Sequence, residues 1–588
     1  MENLYRRMRQ LKIIGKLPQK SEINSVLSSF SKKEWLIFII LAAMLFLSTI
    51  AILQSINTSL MVKVPARGGS ISEGIIGVPR FVNPVLANSP ADRDLVSLIY
   101  SGLMRKNTDG NLIPDLAKKV EASKNGLSYI FTLKDELYFH DGKPVTADDV
   151  LFTIKTIKDS VIKNPQKGNW GSIGVQKIDE KTIKFTLKQA YGLFLENTTL
   201  GIMPKHLWDN SPIELNEANT NPIGSGPYFV SKVNKQSSGI IDRYELTAFN
   251  RFTLGKPYIK KINLRFYSNE DDMIAALEKK EVSQINSITP LNAKILSKKY
   301  LIYSAVLPRV FGLFFNQNQN QIFTDKNIVK AINLAINKDR IVEEVLAGYG
   351  VAIDGPIPPN LTTYQKLKEK NGASHEEILK KAQAVLIEDG WKIGQSGFLE
   401  KTMTEKKKKV AKILEFSIST GNVAELAKSA LLVKQDLTAL GMKVDIKTFE
   451  VGNLNQNVIR PRKYDALLFG QIINTESDLS AFWHSSQRKD PGLNVAMYTN
   501  AKVDKILEDA YTTIDKKSRT EKYTQFAEEI KKDMPAVFLY SPYFIYIAPK
   551  NLQGLAIDNT TFFPADRFLN VYLWYTETDN IWKIFLLK

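Results

Sequence analysis

The sequence predicts an α/β protein of several domains, held behind one N-terminal membrane helix. Three observations point there. The chain has 588 residues, enough for about three or four domain-sized units. Residues 35–53 (WLIFIILAAMLFLSTIAIL) run for nineteen positions without one charge. Residues 412–449 read as strand, helix, strand, and a unit of that length implies a right-handed parallel crossover.

The apolar run comes first in the chain. As a helix it spans about 28 Å at roughly 1.5 Å per residue, close to the bilayer hydrocarbon. Residues 1–34 hold eight Lys/Arg against three Glu. Positive residues stay inside, so residues 1–34 are expected in the cytoplasm and the rest outside. The basic stretch is long and no clean A-x-A site follows, which favours an uncleaved anchor over a signal peptide. Residues 54–68 read as a polar linker containing Pro65 and Gly68.

From Ser70 onward, strand and helix patterns alternate. Residues 129–133 and 181–187 are strand-like, with Ile183, Phe185 and Leu187 alternating with polar positions. Thr146 and Asp149 form a capping-box pattern, followed by Val150, Ile154, Ile157 and Val161 at helical spacing. Ser374 and Glu377 repeat that pattern before a helix that stops near Gly390. In the crossover unit, Leu414, Phe416 and Ile418 alternate, then Leu426, Val433, Leu437 and Leu440 follow a helical stripe. Gly441 suits the position just past the helix. Helical patterns recur at 325–346, 500–512 and 517–532, residues 536–548 are an aromatic strand, and 576–588 read as a loose tail with an apolar tip.

Composition narrows the chemistry. There is no cysteine, which excludes disulfides, thiolate metal sites, cysteine nucleophiles and a lipidated N-terminal cysteine. The four histidines, His140, His206, His375 and His484, are far apart in sequence, so no metal site is expected. The net charge of +18 suits anionic surroundings. The lysines are dispersed without a basic stripe interleaved with aromatics, so no nucleic-acid partner is expected. The lysine run 406–409 reads as a solvated turn before it reads as a lipid or nucleic-acid patch. His375-Glu376-Glu377 lacks the second histidine of a zincin, because position 379 is Leu. Gly224-Ser225-Gly226 is not a nucleophile elbow. No catalytic residue, metal or cofactor is therefore expected. The aromatic and amide clusters Phe311, Phe314, Phe315, Asn316, Gln317 and Tyr540, Tyr543, Phe544, Tyr546 suit either a binding cleft or an ordinary core.

Six segments in order resemble one family, the extracytoplasmic solute-binding proteins of peptide-type ABC importers (the oligopeptide- and dipeptide-binding class). They are PRFVNP at 79–84, LVSLIYSGL at 95–103, FHDGKPVTADDV at 139–150, GSGPY at 224–228, KAINLAINKDRI at 330–341, and YD at 464–465 before LLFG and the later Phe482-Trp483. Each is weak alone. Their order across residues 69–575 is what makes the likeness specific.

The resemblance implies a two-lobed, periplasmic-binding-protein-like (Venus-flytrap) α/β fold with an extra small domain. It implies a first lobe over 69–305 with the small domain at about 111–190, a second lobe over 306–540, and a return to the first lobe over 541–575. The function it implies is a receptor that closes on a peptide or other small solute and delivers it to ABC permease subunits, as a single copy on the outer side of the cytoplasmic membrane. Expected ligand contacts are Asn83, Arg309, Phe311, Gln471, Asn474, Trp483, Tyr540 and Tyr543. Arg309 would pair with a carboxylate of the solute or close a salt bridge between domains. Asn474 falls where relatives often hold the peptide amine with an aspartate, so the formal charge is missing there, and Glu476 or Asp478 is a substitute. The other readings are a tethered sensor or chaperone without a transporter, a binder of a non-peptide solute, and a surface hydrolase on the same fold.

Overall fold

A computed structural model describes residues 28–587, except 163, 165, 166, 360, 362–373, 406, 407, 474 and 558–562. The basic stretch before Ser28, Asn474, and part of the 406–409 run thus lie outside the described residues. The chain divides into two units, one made of the N-terminal part up to Ala66 with Thr578 onward, the other of Arg67–Glu577.

In the smaller unit, helix Lys32–Leu60 is long and apolar enough to cross a membrane, and none of its residues is buried. Ser31 and Glu34 cap it reciprocally: the Glu34 carboxylate accepts from the Ser31 amide at 2.7 Å, and Ser31 Oγ accepts from the Glu34 amide at 3.4 Å. Inside the apolar run, the Thr49 hydroxyl donates back to the Leu45 carbonyl, which satisfies it without water. The helix continues through the expected spacer as far as Leu60: residues 54–64 contain no Pro or Gly, and the Thr58 and Ser59 hydroxyls bond back to helix carbonyls. Strand Met61–Ala66 follows and pairs with Glu577–Trp582. The C-terminal tail is therefore a strand, then a 3₁₀ turn over Lys583–Leu587. Its partner strand is so distant in sequence that no local pattern announces the pairing.

The larger unit is organised by a twelve-stranded sheet. Its strands are β1 (Gly68–Ile76), β2 (Tyr228–Lys235), β3 (Ile241–Ala248), β4 (Ile259–Tyr267), β5 (Gln284–Asn286), β6 (Ile302–Val306), β7 (Arg309–Phe315), β8 (Gly350–Ala352), β9 (Glu415–Gly421), β10 (Lys443–Phe449), β11 (Ala466–Ile472) and β12 (Ala536–Ile547). The order is β10-β9-β11-β7-β12-β5-β1-β4-β3-β2, with β6 and β8 also on β12. β9, helix Ala424–Ala439 and β10 form the expected crossover, paired in parallel from Glu415↔Lys443 to Gly421↔Phe449. Gly441 closes that helix at φ +99°.

β12 belongs to both halves of the sheet. Its first part pairs with β7, from Phe314↔Ala536 to Phe311↔Tyr540. Its last part pairs with β6, from Val306↔Tyr543 to Ile302↔Ile547, and with β5. The change of partner falls at Ser541-Pro542, where proline has no N–H to give to a ladder. Separate apolar cores flank the two halves. One gathers Ile71, Leu98, Tyr228, Leu264, Phe568 and Trp574, and the others gather Leu313, Phe315, Trp391 and Val433, or Phe314, Trp483 and Phe526.

A smaller antiparallel sheet (Ala117–Ala122, Ser128–Leu133, Thr182–Leu187, Ile173–Lys177) has its own core around Phe131, Phe139, Ile154, Phe185 and Phe194. Helix Ala147–Lys158 packs on it. The Asp149 carboxylate accepts from the Thr146 amide at 2.8 Å and so starts the helix. The helix ends before Val161, which is exposed.

Three of the sequence segments are clamped together. The Gly226 amide donates to the Ile99 carbonyl at 2.8 Å. A Cβ on Gly224 would meet that same carbonyl oxygen at 2.1 Å, so glycine is required there. His140 Nδ1 accepts from the Gly224 amide at 3.3 Å, which leaves Nε2–H to donate to the Gly226 carbonyl at 3.0 Å. The FHDGKPV turn thus holds the GSGPY turn through a neutral imidazole.

The C-terminal return is fastened by a buried ion cluster. Arg567 grips Asp94 in a fork of 2.8 and 2.7 Å and reaches Glu73 at 2.6 Å, all three side chains being fully or almost fully buried. The Tyr546 hydroxyl donates to Glu73 at 3.0 Å, and Asn286 Nδ2 donates to the other carboxylate oxygen at 3.0 Å. Burial raises the Glu73 pKa, opposed by Arg567. Burial also works against the Arg567 charge, but the two carboxylates more than offset it and its pKa rises.

Removing Arg567 strands two carboxylates in a dry site. Arg567→Met is expected to lower the unfolding free energy by about 3–5 kcal/mol in urea titration, and Glu73→Gln with Asp94→Asn in the same chain should recover much of it. His140 supplies a pH term of known sign. Burial pushes its pKa from 6.5 down to about 4, so between those values the unfolded chain holds a proton that the folded ring does not. Stability is full above the unfolded value and falls with acid, by about 2 kcal/mol between pH 7 and pH 5. His140→Gln should flatten that part of the melting temperature against pH curve.

Candidate ligand site beside the shared strand

The site is built where β7, β11 and β12 lie side by side. β7 and β11 are antiparallel, with Arg309 opposite Ile472, Val310 opposite Gln471 and Phe311 opposite Gly470. Cross-strand partners share a face of the sheet and neighbours in sequence do not. Phe311 therefore lies over Gly470, where a Cβ would come within 2.6 Å of its ring. On its other side Phe311 stacks on Tyr540, with centroids 4.8 Å apart and planes 12° off parallel. The Tyr540 hydroxyl meets Ser429 Oγ, on helix Ala424–Ala439, at 3.3 Å. Burial raises the Tyr540 pKa and keeps the phenol neutral.

Charge is placed beside this aromatic wall. Arg309 and Glu425 are both half-buried and attract each other. Burial lowers the Arg309 pKa and raises that of Glu425, which Glu270 raises further. Glu425 sits in the first turn of helix Ala424–Ala439, in the half of the sheet that holds β9. Glu270 starts helix Glu270–Glu278 in the other half, where it accepts from the Thr289 amide at 2.7 Å. An arginine, two carboxylates and a stacked aromatic pair thus lie where the two halves meet. Such a set can pair with a carboxylate, accept from amine or amide N–H groups, and cover apolar chain.

The residues expected from sequence divide into groups. Arg309 and Phe311 share a face of β7 and are half-buried, whereas Tyr540 stacks under Phe311 and is itself buried in the core, so it supports that face from behind. Gln471 and Trp483 lie on the opposite side. Gln471 is buried opposite Val310, its Oε1 without a hydrogen-bond partner. Trp483 is fully buried among Phe314, Tyr498, Phe526 and Phe538. Tyr543 is half-buried beyond the change of partner, opposite Val306, and burial raises its pKa. Asn83 is fully buried: its Oδ1 accepts from the Val85 and Leu86 amides and its Nδ2 donates to Asn219 at 2.6 Å. Asn474 lies outside the described residues. Of the two substitutes named for it, Glu476 pairs with Arg519 at 3.1 Å, and Asp478 accepts from the Thr475 amide at 3.1 Å.

Glu425, Ser429 and Glu270 were not singled out by sequence. An acidic residue in a first helical turn is an ordinary dipole-complementing choice, so nothing local marked either glutamate. Among the described residues no group of three or more His, Asp or Glu could hold a metal.

Comparison with known proteins identifies the fold. The model of the bacterial extracellular solute-binding proteins, family 5 (middle region), matches residues 111–491, and the chain belongs to that family. The oligopeptide-binding protein AppA of Bacillus subtilis is 29% identical over 557 residues, covering 91% of this chain and 97% of its own. The structure of that protein in complex with a nonapeptide superposes with a TM-score of 0.63 at 28% identity, over 87% of this chain and 99% of the other. The ABC transporter substrate-binding protein CtaP of Listeria monocytogenes superposes with a TM-score of 0.71 at 25% identity, over 87% and 100%. The protein is thus a two-lobed, extracytoplasmic solute-binding protein of the peptide-type ABC class.

Gly470→Ala is expected to push Phe311 off its stack, at about 1–3 kcal/mol of stability. Phe311→Leu in the same chain should cancel part of that loss, read as a coupling energy in a double-mutant cycle of urea unfolding.

Proposed function

We propose that this chain is a membrane-tethered receptor that encloses a peptide between its lobes and hands it to the permease of an ABC importer. The observation that carries this is the charged aromatic face of β7 and β12. Arg309 is set to meet a carboxylate of the solute, Glu425 and Glu270 to meet its N–H groups, and half-buried Phe311, backed by the buried Tyr540, to cover its apolar parts. An extended peptide offers main-chain groups in any sequence, so such a wall binds with little side-chain preference. The peptide complex of the AppA relative supports the same class of solute.

Closure follows from the shared strand. β12 joins both halves, so its Ser541-Pro542 segment is the place for a hinge. A solute shifts the lobes toward closure only by binding the closed form better than the open one. Arg309 and Phe311 in one half and Glu270 in the other supply that difference. No bond in the solute is made or broken.

Helix Lys32–Leu60 supplies the tether, with the N-terminus inside and the binding unit outside. A receptor confined to the membrane surface meets its permease at a raised effective concentration, on the order of millimolar for a short linker.

Native mass spectrometry of the full chain in detergent micelles tests the solute class. Retained masses should be peptides; a non-peptide solute retained in their place would overturn the peptide reading. Arg309→Met should then weaken a free-acid peptide about tenfold, roughly 1.4 kcal/mol, in calorimetry, and leave its C-terminal amide little changed. Equal weakening of acid and amide would remove Arg309 from carboxylate recognition.

A further inference from the structure

We infer that the C-terminal tip, Trp582 with Ile584, Phe585 and Leu586, docks on the lipid surface beside the exit of the N-terminal helix. The tip is a second membrane contact of the chain, and its role rests on the anchor reading of that helix. Three observations in the smaller unit converge on it.

The first is depth. The predominantly apolar run ends at Leu53, where Gln54 and Ser55 begin a polar stretch, and Asn57 lies four residues further along the same helix, about 6 Å at 1.5 Å per residue. If the run fills the hydrocarbon, Asn57 sits in the headgroup layer. Trp582 Nε1 donates to Asn57 Oδ1 at 2.8 Å. That bond places the indole at the level where tryptophan is enriched in membrane proteins, with its one polar group already satisfied.

The second is direction. Strand Glu577–Trp582 pairs with Met61–Ala66, and its last residue is bonded to the helix turn just before the partner strand begins. The strand therefore returns toward the helix. Glu577 and Asp579 come early on that return, and the apolar residues come at its end with Lys583 among them. Polarity thus falls in the direction of the bilayer. One lysine at the interface can keep its ammonium among the phosphates.

The third is exposure. Trp582, at the end of the strand, is 45% exposed; in the five-residue 3₁₀ turn that follows, Ile584 and Phe585 are each 68% exposed and Leu586 50%. These large exposed side chains follow one another within five residues, and Trp582 ties the segment to the outer end of the apolar helix at Asn57. A lipid interface covers such side chains without requiring a shaped protein groove.

The absence of native cysteine allows a clean test with the full chain. Phe585→Cys, and Ile584→Cys as a second reporter, would be labelled with a polarity-sensitive fluorophore. The labelled protein would be reconstituted in phosphatidylcholine–phosphatidylglycerol vesicles carrying nitroxide lipids and no other protein. Both reporters should be blue-shifted, and quenched more by a nitroxide near the headgroups than by one at the bilayer centre. Leu45→Cys, inside the helix, should show the reverse depth order, and Val161→Cys, 82% exposed on the larger unit, should stay water-like. Quenching at Leu45→Cys with water-like emission at both tip reporters overturns the tip assignment and leaves the anchor standing. Water-like emission at Leu45→Cys overturns the anchor and the tip assignment with it.

Discussion

One strand, Ala536–Ile547, serves two halves of a sheet, and the rest of the molecule is arranged around that sharing. Its first residues complete the ladder of Arg309–Phe315 and its last ones complete those of Ile302–Val306 and Gln284–Asn286. A covalent strand through both halves keeps them joined, and β8, paired with Tyr540, Ser541 and Pro542, spans the place where β7 gives way to β6. The segment that follows is then tied to the first half by the Glu73–Arg567–Asp94 cluster. Such a cluster contributes little net free energy over an apolar core, but it is costly to break. It therefore keeps the C-terminal return in one place.

The same arrangement explains the character of the site. Backbone groups along β7 are used up by β11 and β12, so what the face presents is side chains. Phe311 has room because its neighbour across the ladder is Gly470, and its position is held by Tyr540, which Ser429 holds in turn. The aromatic wall is thus rigid and its orientation is set by packing. The charges beside it are only half-buried. Arg309 and Glu425 keep much of their hydration until something replaces it, which suits groups that exchange water for a solute.

The smaller unit answers a different requirement. A helix with no buried residue and an apolar run of membrane length gains nothing from folding in water. Beside it, the strand that follows the helix, Met61–Ala66, pairs with Glu577–Trp582, more than five hundred residues away.

Much of this was legible in the sequence, and the reason is locality. The membrane-length run, the boxes at Thr146 and Ser374, the crossover of residues 412–449 and the ordered family segments are patterns of near neighbours. Helical period, strand alternation and capping chemistry determine them without reference to the rest of the chain. The candidate site was legible only in part. Arg309, Phe311 and Tyr540 came from segments whose character was visible, yet Trp483 and Gln471 belong to the far side of the same sheet, and Asn83 uses its amide to hold a turn. Glu425, Glu270 and the pairing of the C-terminal strand gave no local signal. Tertiary structure decided these because a strand shows alternate residues to opposite faces, and which residues share a face with partners far away in sequence depends on register.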